Sequence, residues 1–291
     1  MTDCVSDALY RDTVFLDPDL NLSRSGHVCF SMKVLFIGDI VGKIGRQTVR
    51  ALLPNLVSRY KIGLVIANGE NAAAGFGITE KTAVELFGSG IHVITTGNHV
   101  WDKKEVLPYI AKENRLLRPL NFPTGTPGTG SIVCAATGGE RVAVVNISGR
   151  VFMNTLDCPF RTGREEIDRL RKETGVIIVD FHAEATSEKR AFGYYMDGLA
   201  SAVIGTHTHV QTADETILDG GTAYITDAGM TGPATSVIGI DKDQIIERFL
   251  TLMPRKYDVA EGKAMLSGVV VEINAENGRA TGIQRLQITY P

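Results

Sequence analysis

Ala202-Val203-Ile204-Gly205-Thr206-His207-Thr208-His209 decides the fold class of this chain. Its apolar start reads as a short buried strand, and two imidazoles follow two residues apart where that strand stops. Imidazole is the commonest neutral metal ligand. Open α/β sheets place their chemistry just beyond the carboxyl ends of their strands. Alone the pair is only suggestive, but four other apolar runs end in the same kind of side chain.

Residues 33–37 read as a strand ending in Gly38-Asp39, and residues 64–67 as one ending in Asn68-Gly69-Glu70-Asn71. Residues 92–95 end in Thr96-Gly97-Asn98-His99, and the apolar run 175–181 ends at His182. Amphipathic segments alternate with these runs. Helices are expected over 46–60, with Pro54 kinking or interrupting it, and over 79–88, with Thr79 at the N-cap and Thr82 at the third helical position. Others are expected over 103–111, 163–174, 187–196 and 241–253. This βαβαβ rhythm predicts a largely parallel sheet. The middle differs: 120–130 is a Pro/Gly/Thr loop, and 131–136 with 141–147 read as a hairpin around Gly138-Gly139. A strand at 222–226 follows, and 264–273 with 282–289 close the chain as an antiparallel pair through Asn277-Gly278. The prediction is an α/β fold with two sheets packed face to face and helices outside.

The bulk numbers fit that reading. The 291 residues are 44% hydrophobic and 22% charged, ordinary for a soluble globular chain, and no linker or repeat divides it. A net charge of -3 gives no electrostatic case for nucleic acid or an anionic membrane as the main partner. No apolar run reaches the length of a bilayer span. Cys4, Cys29, Cys134 and Cys158 lack zinc-type spacing and fit a reducing, cytoplasmic setting. Residues 1–31 carry five aspartates and no sustained apolar stretch, so they are expected to be an extension outside the natural chain or a disordered arm. Met32 is then the expected start, with one domain over 32–291.

The strand ends together offer two carboxylates, two amides and three or four imidazoles. Mixed nitrogen and oxygen donors suit Mn, Fe or Zn, whereas oxygen alone favours Mg or Ca. The number of donors exceeds the needs of one ion, so two ions sharing a carboxylate is the better count. Gly38-Asp39-Ile40-Val41-Gly42-Lys43-Ile44-Gly45 matches neither glycine-rich nucleotide-phosphate pattern. Taken singly, Asp39 could equally cap the next helix, and Asn71 and Asn98 could serve turns.

The order Asp, Glu-Asn, Gly-Asn-His, His, His-x-His resembles the calcineurin-like metallophosphoesterases. The wording of the motifs is similar to one branch, the bacterial YmdB-type phosphodiesterases, from Met32 to Pro291. The resemblance implies a four-layer αββα sandwich of two mixed sheets and a dinuclear centre of Fe or Mn. It departs from the superfamily at Ile40-Val41, where a histidine ligand is usual, and at Glu70, where the bridging residue is usually Asp. By resemblance to the branch, Asn71 stands in as the extra ligand. Asp39, Glu70, Asn71 and His209 then hold one ion, while Glu70, Asn98, His182 and His207 hold the other. A metal-bridging hydroxide is the implied nucleophile, and His99, beside Asn98, the general acid. The implied substrates are 2′,3′-cyclic nucleotides, cleaved to 3′-monophosphates, with 3′,5′-cAMP as a second possibility and a homo-oligomer as the assembly. Two other readings stay open at this level: a phosphomonoesterase or protein phosphatase on the same metals, and a regulatory nucleotide-binding protein with incidental hydrolysis.

Overall fold

The computed structural model describes residues 31–291, so the first thirty residues and the extension expected there lie outside the described residues. Ser31 itself opens a strand and pairs with Asn274. The first part of the chain contains β1 (Ser31–Ile37), β2 (Asp39–Ile40), α1 (Gly42–Tyr60), β3 (Leu64–Asn68), α2 (Glu80–Gly88), β4 (Val93–Thr95) and α3 (Leu107–Ile110). Next come β5 (Ser131–Ala135), β6 (Arg141–Ser148), α4 (Pro159–Leu170), β7 (Val176–His182), α5 (Thr186–Tyr195) and β8 (Ala202–Thr206). The last part holds β9 (Thr216–Ile217), β10 (Ala223–Ile225), β11 (Met230–Pro233), α6 (Lys242–Thr251), β12 (Ala264–Asn274) and β13 (Ala280–Tyr290).

These elements build an α/β protein with two mixed sheets. The first has the order β2-β11-β12-β1-β3-β4, with β13 paired to β12. Within it β1, β3 and β4 run parallel, and β12 runs antiparallel to both β1 and β13. The second has the order β5-β6-β7-β8-β10-β9. Its four central strands are parallel, and its edges β5 and β9 are antiparallel.

Strand periodicity sorts the core. Successive side chains of a strand point to opposite faces, and β1 divides accordingly. Val34 and Phe36 join a cluster with Ile66 and Val269 of the first sheet and Val144, Ile178 and Ile204 of the second. Leu35 and Ile37 join the cluster that holds Val49 and Leu53 of α1 and Leu86 of α2. On the second sheet, Val145, Val179 and Phe181 pack with Ile167 of α4 and Phe192 of α5. Both faces of the central strands are thus covered, which is why those strands read as continuous apolar runs.

Several boundaries differ from the sequence reading. α1 starts at Gly42 and passes Pro54 without a break. α2 has the expected Thr79–Thr82 capping box. α4 begins four residues before Gly163, because Pro159 occupies the first turn, where a missing N–H costs nothing. The segment 103–111 splits into a 3-10 turn, Lys104–Val106, and the short α3. α6 has apolar residues at helical spacing, yet none of its residues is buried. β2, β9 and β11 are only two to four residues long, too short to show a period. Among the described residues no helix is long and apolar enough to cross a membrane.

Candidate metal centre

The chemistry-bearing strand ends come from both sheets, not from a single sheet edge. Asp39 follows β1, Glu70 and Asn71 follow β3, and Asn98 and His99 follow β4, all in the first sheet. His182 ends β7, and His207 and His209 follow β8, in the second. The backbone is tight here. A Cβ on Gly97 would lie 2.2 Å from the His182 ring and 2.5 Å from a Glu70 carboxylate oxygen. Gly97→Ala is therefore expected to displace one of those side chains and destabilise the fold by about 1–3 kcal/mol. Urea denaturation compared with the wild-type chain checks this; equal midpoints would contradict it. His207 and His209 both adopt positive φ, 96° and 65°. Such strain persists only where surroundings over-determine it. The His207 N–H donates to Asp39 Oδ2 at 3.2 Å, and the Thr208 N–H and hydroxyl donate to Asp227 Oδ2 at 3.1 and 2.6 Å.

The shorter contacts among the seven predicted donors fall into two groups that meet at Glu70, and His182 Nδ1 also lies 4.0 Å from Asp39 Oδ1 across them. In one, Nε2 of His182 lies 3.0 Å from Glu70 Oε1, 3.0 Å from Asn98 Oδ1 and 3.1 Å from His207 Nδ1. In the other, His209 Nε2 lies 3.7 Å from Asp39 Oδ1 and accepts from Asn71 Nδ2 at 3.1 Å, while Asn71 Nδ2 is 3.4 Å from Glu70 Oε1. Glu70, His182 and His207 can present ligand atoms within 4.8 Å of one another.

Each imidazole is fixed through its outer nitrogen. His182 Nδ1–H donates to Thr206 Oγ1 at 2.9 Å, and the Thr206 hydroxyl in turn donates to Asp180 Oδ1 at 2.6 Å. His209 Nδ1–H donates to the Ile238 carbonyl at 2.8 Å, and His207 Nε2–H to Glu184 at 3.0 Å. The outer contacts leave the inner nitrogens facing the site, Nε2 of His182 toward Glu70, Nε2 of His209 toward Asp39 and Nδ1 of His207 toward His182, the orientation metal-binding histidines use.

These residues fit a cation on two observations. Asp39 Oδ1 is buried with no hydrogen-bond partner among the described residues, a costly state for a carboxylate oxygen. His182 Nε2 faces three acceptors at once, and one proton cannot satisfy them all. Electrostatics agree. Burial alone would raise the Glu70 carboxyl, but the charge and hydrogen bond of His182 outweigh it and hold it down to about 2. Burial likewise opposes the His182 cation, yet Glu70 and then Asp39 raise it to about 9. Burial and the neighbouring His182 charge push His207 down to about 3. The Glu70 and Asp39 charges therefore favour a proton on His182 wherever no cation takes its place. A metal ion that takes Nε2 must displace that proton. Ion binding at pH 7 is expected to release about one proton, and its heat should vary with the ionisation enthalpy of the buffer. A buffer-independent heat would contradict the assignment of Nε2.

His99 sits beside this network. Its backbone N–H donates to Glu70 Oε2 at 3.1 Å, and its ring Nδ1–H donates to Asp102 at 2.8 Å. The ring lies edge-on to Phe76, with centroids 5.2 Å apart. A cavity of about 400 Å³ is lined by Glu70, Asn71, Phe76, His99, His207 and His209, with Ile238, Phe249 and Tyr257 among its further walls.

Sequence reasoning missed the supporting residues. Asp180 is wholly buried and accepts from Asn68 Nδ2 at 3.0 Å, Thr95 Oγ1 at 2.5 Å and Thr206 Oγ1 at 2.6 Å. Burial pushes it up to about 6. Its position two residues before His182 in β7 was the available signal, since i and i+2 share a strand face. Asp227 pairs with the buried Lys189 at 2.7 Å and accepts from Thr208, which lies between His207 and His209, so it supports the site. Asp39 does not cap α1, whose N-cap is Val41. His92 has a structural role apart from the site, accepting from the Val65 N–H at 3.0 Å. Tyr194 and Tyr195 pack against Arg190 and Phe160 respectively and do not line the cavity.

A family model described as YmdB-like protein matches residues 35–286. The chain belongs to this family. It is 52% identical over 257 residues to a Bacillus subtilis protein named 2′,3′-cyclic-nucleotide 2′-phosphodiesterase, covering 88% of this chain and 97% of that one. A Mycoplasma genitalium relative, named a putative phosphatase/phosphodiesterase, is 36% identical, with 89% and 93% covered. Among solved structures, a hypothetical protein from Thermus thermophilus superposes with a TM-score of 0.82 at 44% identity, covering 89% of this chain and all of that one. A Mycoplasma pneumoniae structure described as a novel phosphatase gives 0.84 at 36% identity, covering 89% and 94%.

Proposed function

We propose that this chain is a dinuclear metal-dependent phosphodiesterase that hydrolyses 2′,3′-cyclic nucleotides to 3′-monophosphates, with 3′,5′-cAMP as a second substrate. The observation that carries this reading is the pair of donor groups that meet at Glu70, which together with Asn71, His207 and His209 lines a cavity of about 400 Å³. The fold proposed with it is the four-layer αββα sandwich of metallophosphoesterases, supported by one apolar cluster common to both sheets and one on each outer, helix-bearing side.

Asp39, Asn71 and His209 with Glu70 would hold one ion, and Asn98, His182 and His207 with Glu70 the other. For Asn71, a half-turn of the amide exchanges Nδ2 for the ligating Oδ1. The mixed nitrogen and oxygen set suits Fe or Mn. Such ions supply positive charge to the phosphoryl oxygens and make water a nucleophile near neutral pH. The protein's own residues do the rest. Asp102 fixes Nδ1–H of His99 and leaves Nε2 to deliver a proton. Water adds to phosphorus and sheds a proton to solvent, the bond from phosphorus to O2′ breaks, O2′ takes the His99 Nε2 proton, and His99 regains one from solvent.

The charge of the cavity favours a diester over a monoester. Among the described residues no Lys or Arg lines it, and the Glu184 carboxylate does. A cyclic diester brings one negative charge, whereas a phosphomonoester brings up to two, and the second meets the Glu184 carboxylate with no Lys or Arg to offset it. The name of the Bacillus subtilis relative supports the same substrate class.

The test is incubation of the metal-loaded chain with 2′,3′-cyclic AMP and identification of the product. Chelator-sensitive formation of 3′-AMP is expected. Formation of 2′-AMP, or turnover confined to phosphomonoesters, overturns the reading. Glu184→Gln is expected to weaken metal binding by about 10–100-fold, since it removes the carboxylate that orients His207. Competition with a metal-sensitive dye measures this, and unchanged affinity would remove Glu184 from that role.

A further inference from the structure

The geometry points to a base subsite: Ile238, Ile240, Ile245, Phe249 and Tyr257, together with Phe76, take the planar nucleobase of the substrate by apolar contact and stacking. This assignment rests on the cyclic-nucleotide reading of the metal centre and deepens it.

One cavity is lined both by four of the candidate ligands, Glu70, Asn71, His207 and His209, and by this apolar wall, so a substrate whose phosphate lies at those ligands has its remaining bulk against the wall. The two are physically joined. The Ile238 carbonyl accepts from His209 Nδ1–H at 2.8 Å, which starts the wall one hydrogen bond from a candidate ligand. Ile238 holds a φ of 47°, a conformation uncommon for a β-branched residue, in the short segment just before α6. Ile245 and Phe249 lie four residues apart and therefore on one face of α6. The core does not account for them: Phe249 is 77% exposed, and no residue of the helix is buried. Large apolar side chains held open beside a polar centre are the usual makings of a ligand pocket.

The wall also limits what it can recognise. Tyr257 brings its single polar tip, and the other five residues have no hydrogen-bonding side-chain atom. Every base has a π-face, so stacking is tolerant of base identity. The subsite therefore selects for a planar ring, and it discriminates weakly among adenine, guanine, cytosine and uracil.

Nucleosides test this without any hydrolysis, because they lack the phosphate. The full chain with its metals is titrated with adenosine, uridine and ribose, followed by calorimetry or saturation-transfer NMR. Phe249→Ala is run beside it, and the mass of both proteins is measured by light scattering. Both nucleosides are expected to bind more tightly than ribose, within about tenfold of each other, and Phe249→Ala to weaken both by about tenfold. The same variant should raise KM for 2′,3′-cyclic AMP while metal content and mass stay unchanged. The subsite is overturned if nucleosides bind no better than ribose, or if Phe249→Ala leaves their affinity unchanged. A variant that dissociates an oligomer yet keeps nucleoside affinity also overturns it, since the wall is then a subunit contact. Nucleoside binding lost in Phe249→Ala, without turnover of any cyclic nucleotide, supports the subsite and sinks the diesterase reading alone.

Discussion

Glu70→Gln is expected to abolish stoichiometric binding of transition metal and to lower hydrolysis of 2′,3′-cyclic AMP by roughly 10³-fold or more. The carboxylate is the one side chain common to both contact groups: Oε1 faces His182 and Asn71, and Oε2 accepts from the His99 backbone. An amide of the same shape keeps the packing but removes the charge that both ions would share. Loss of the stabilisation that ions give phosphoryl transfer, several kcal/mol, converts to about that factor at roughly 1.4 kcal/mol per tenfold. The variant also takes from His182 the carboxylate that contributes most to raising it to about 9, so its proton is held less tightly. Metal analysis of the purified variant and initial rates with excess Mn or Fe check both parts. Full metal content with activity within about tenfold of wild type would mean that Glu70 does not bridge.

His99→Ala is expected to leave metal content intact and to slow cleavage of 2′,3′-cyclic AMP by about 10²–10⁴-fold, the usual worth of a general acid. The ribose O2′ leaves as a strongly basic alkoxide and needs a proton. A nitrophenolate does not. The same variant should therefore lose less than about tenfold on bis(p-nitrophenyl) phosphate. That contrast separates proton donation from a structural effect, which would depress both substrates alike. The geometry makes the variant clean: the ring touches Phe76 and Asp102, whereas the contact with Glu70 is made by the backbone N–H, which alanine retains. Equal losses on the two diesters would remove His99 from the chemistry and leave it a wall of the cavity.

The parts of this protein legible in sequence were those set by local pattern. The apolar runs of β1, β3, β7 and β8 announce strands covered on both faces, and the Thr79–Thr82 cap announces α2. All eight singled-out polar residues follow or end such runs, because strand ends are where an α/β chain can expose donors without interrupting its core. Pairings between distant segments were not legible. Sequence did not tell that Asp39, Glu70 and Asn98 come from one sheet and His182, His207 and His209 from another, because no local pattern encodes how two sheets are set against each other. Nor did it identify Asp180 or Glu184 as partners that fix the imidazoles, since each acts across separate elements. α6 shows the converse. Its helical spacing is plain in sequence and implies burial, but tertiary structure leaves it unburied beside the cavity. Period reports which side chains share a face; only packing decides what, if anything, that face meets.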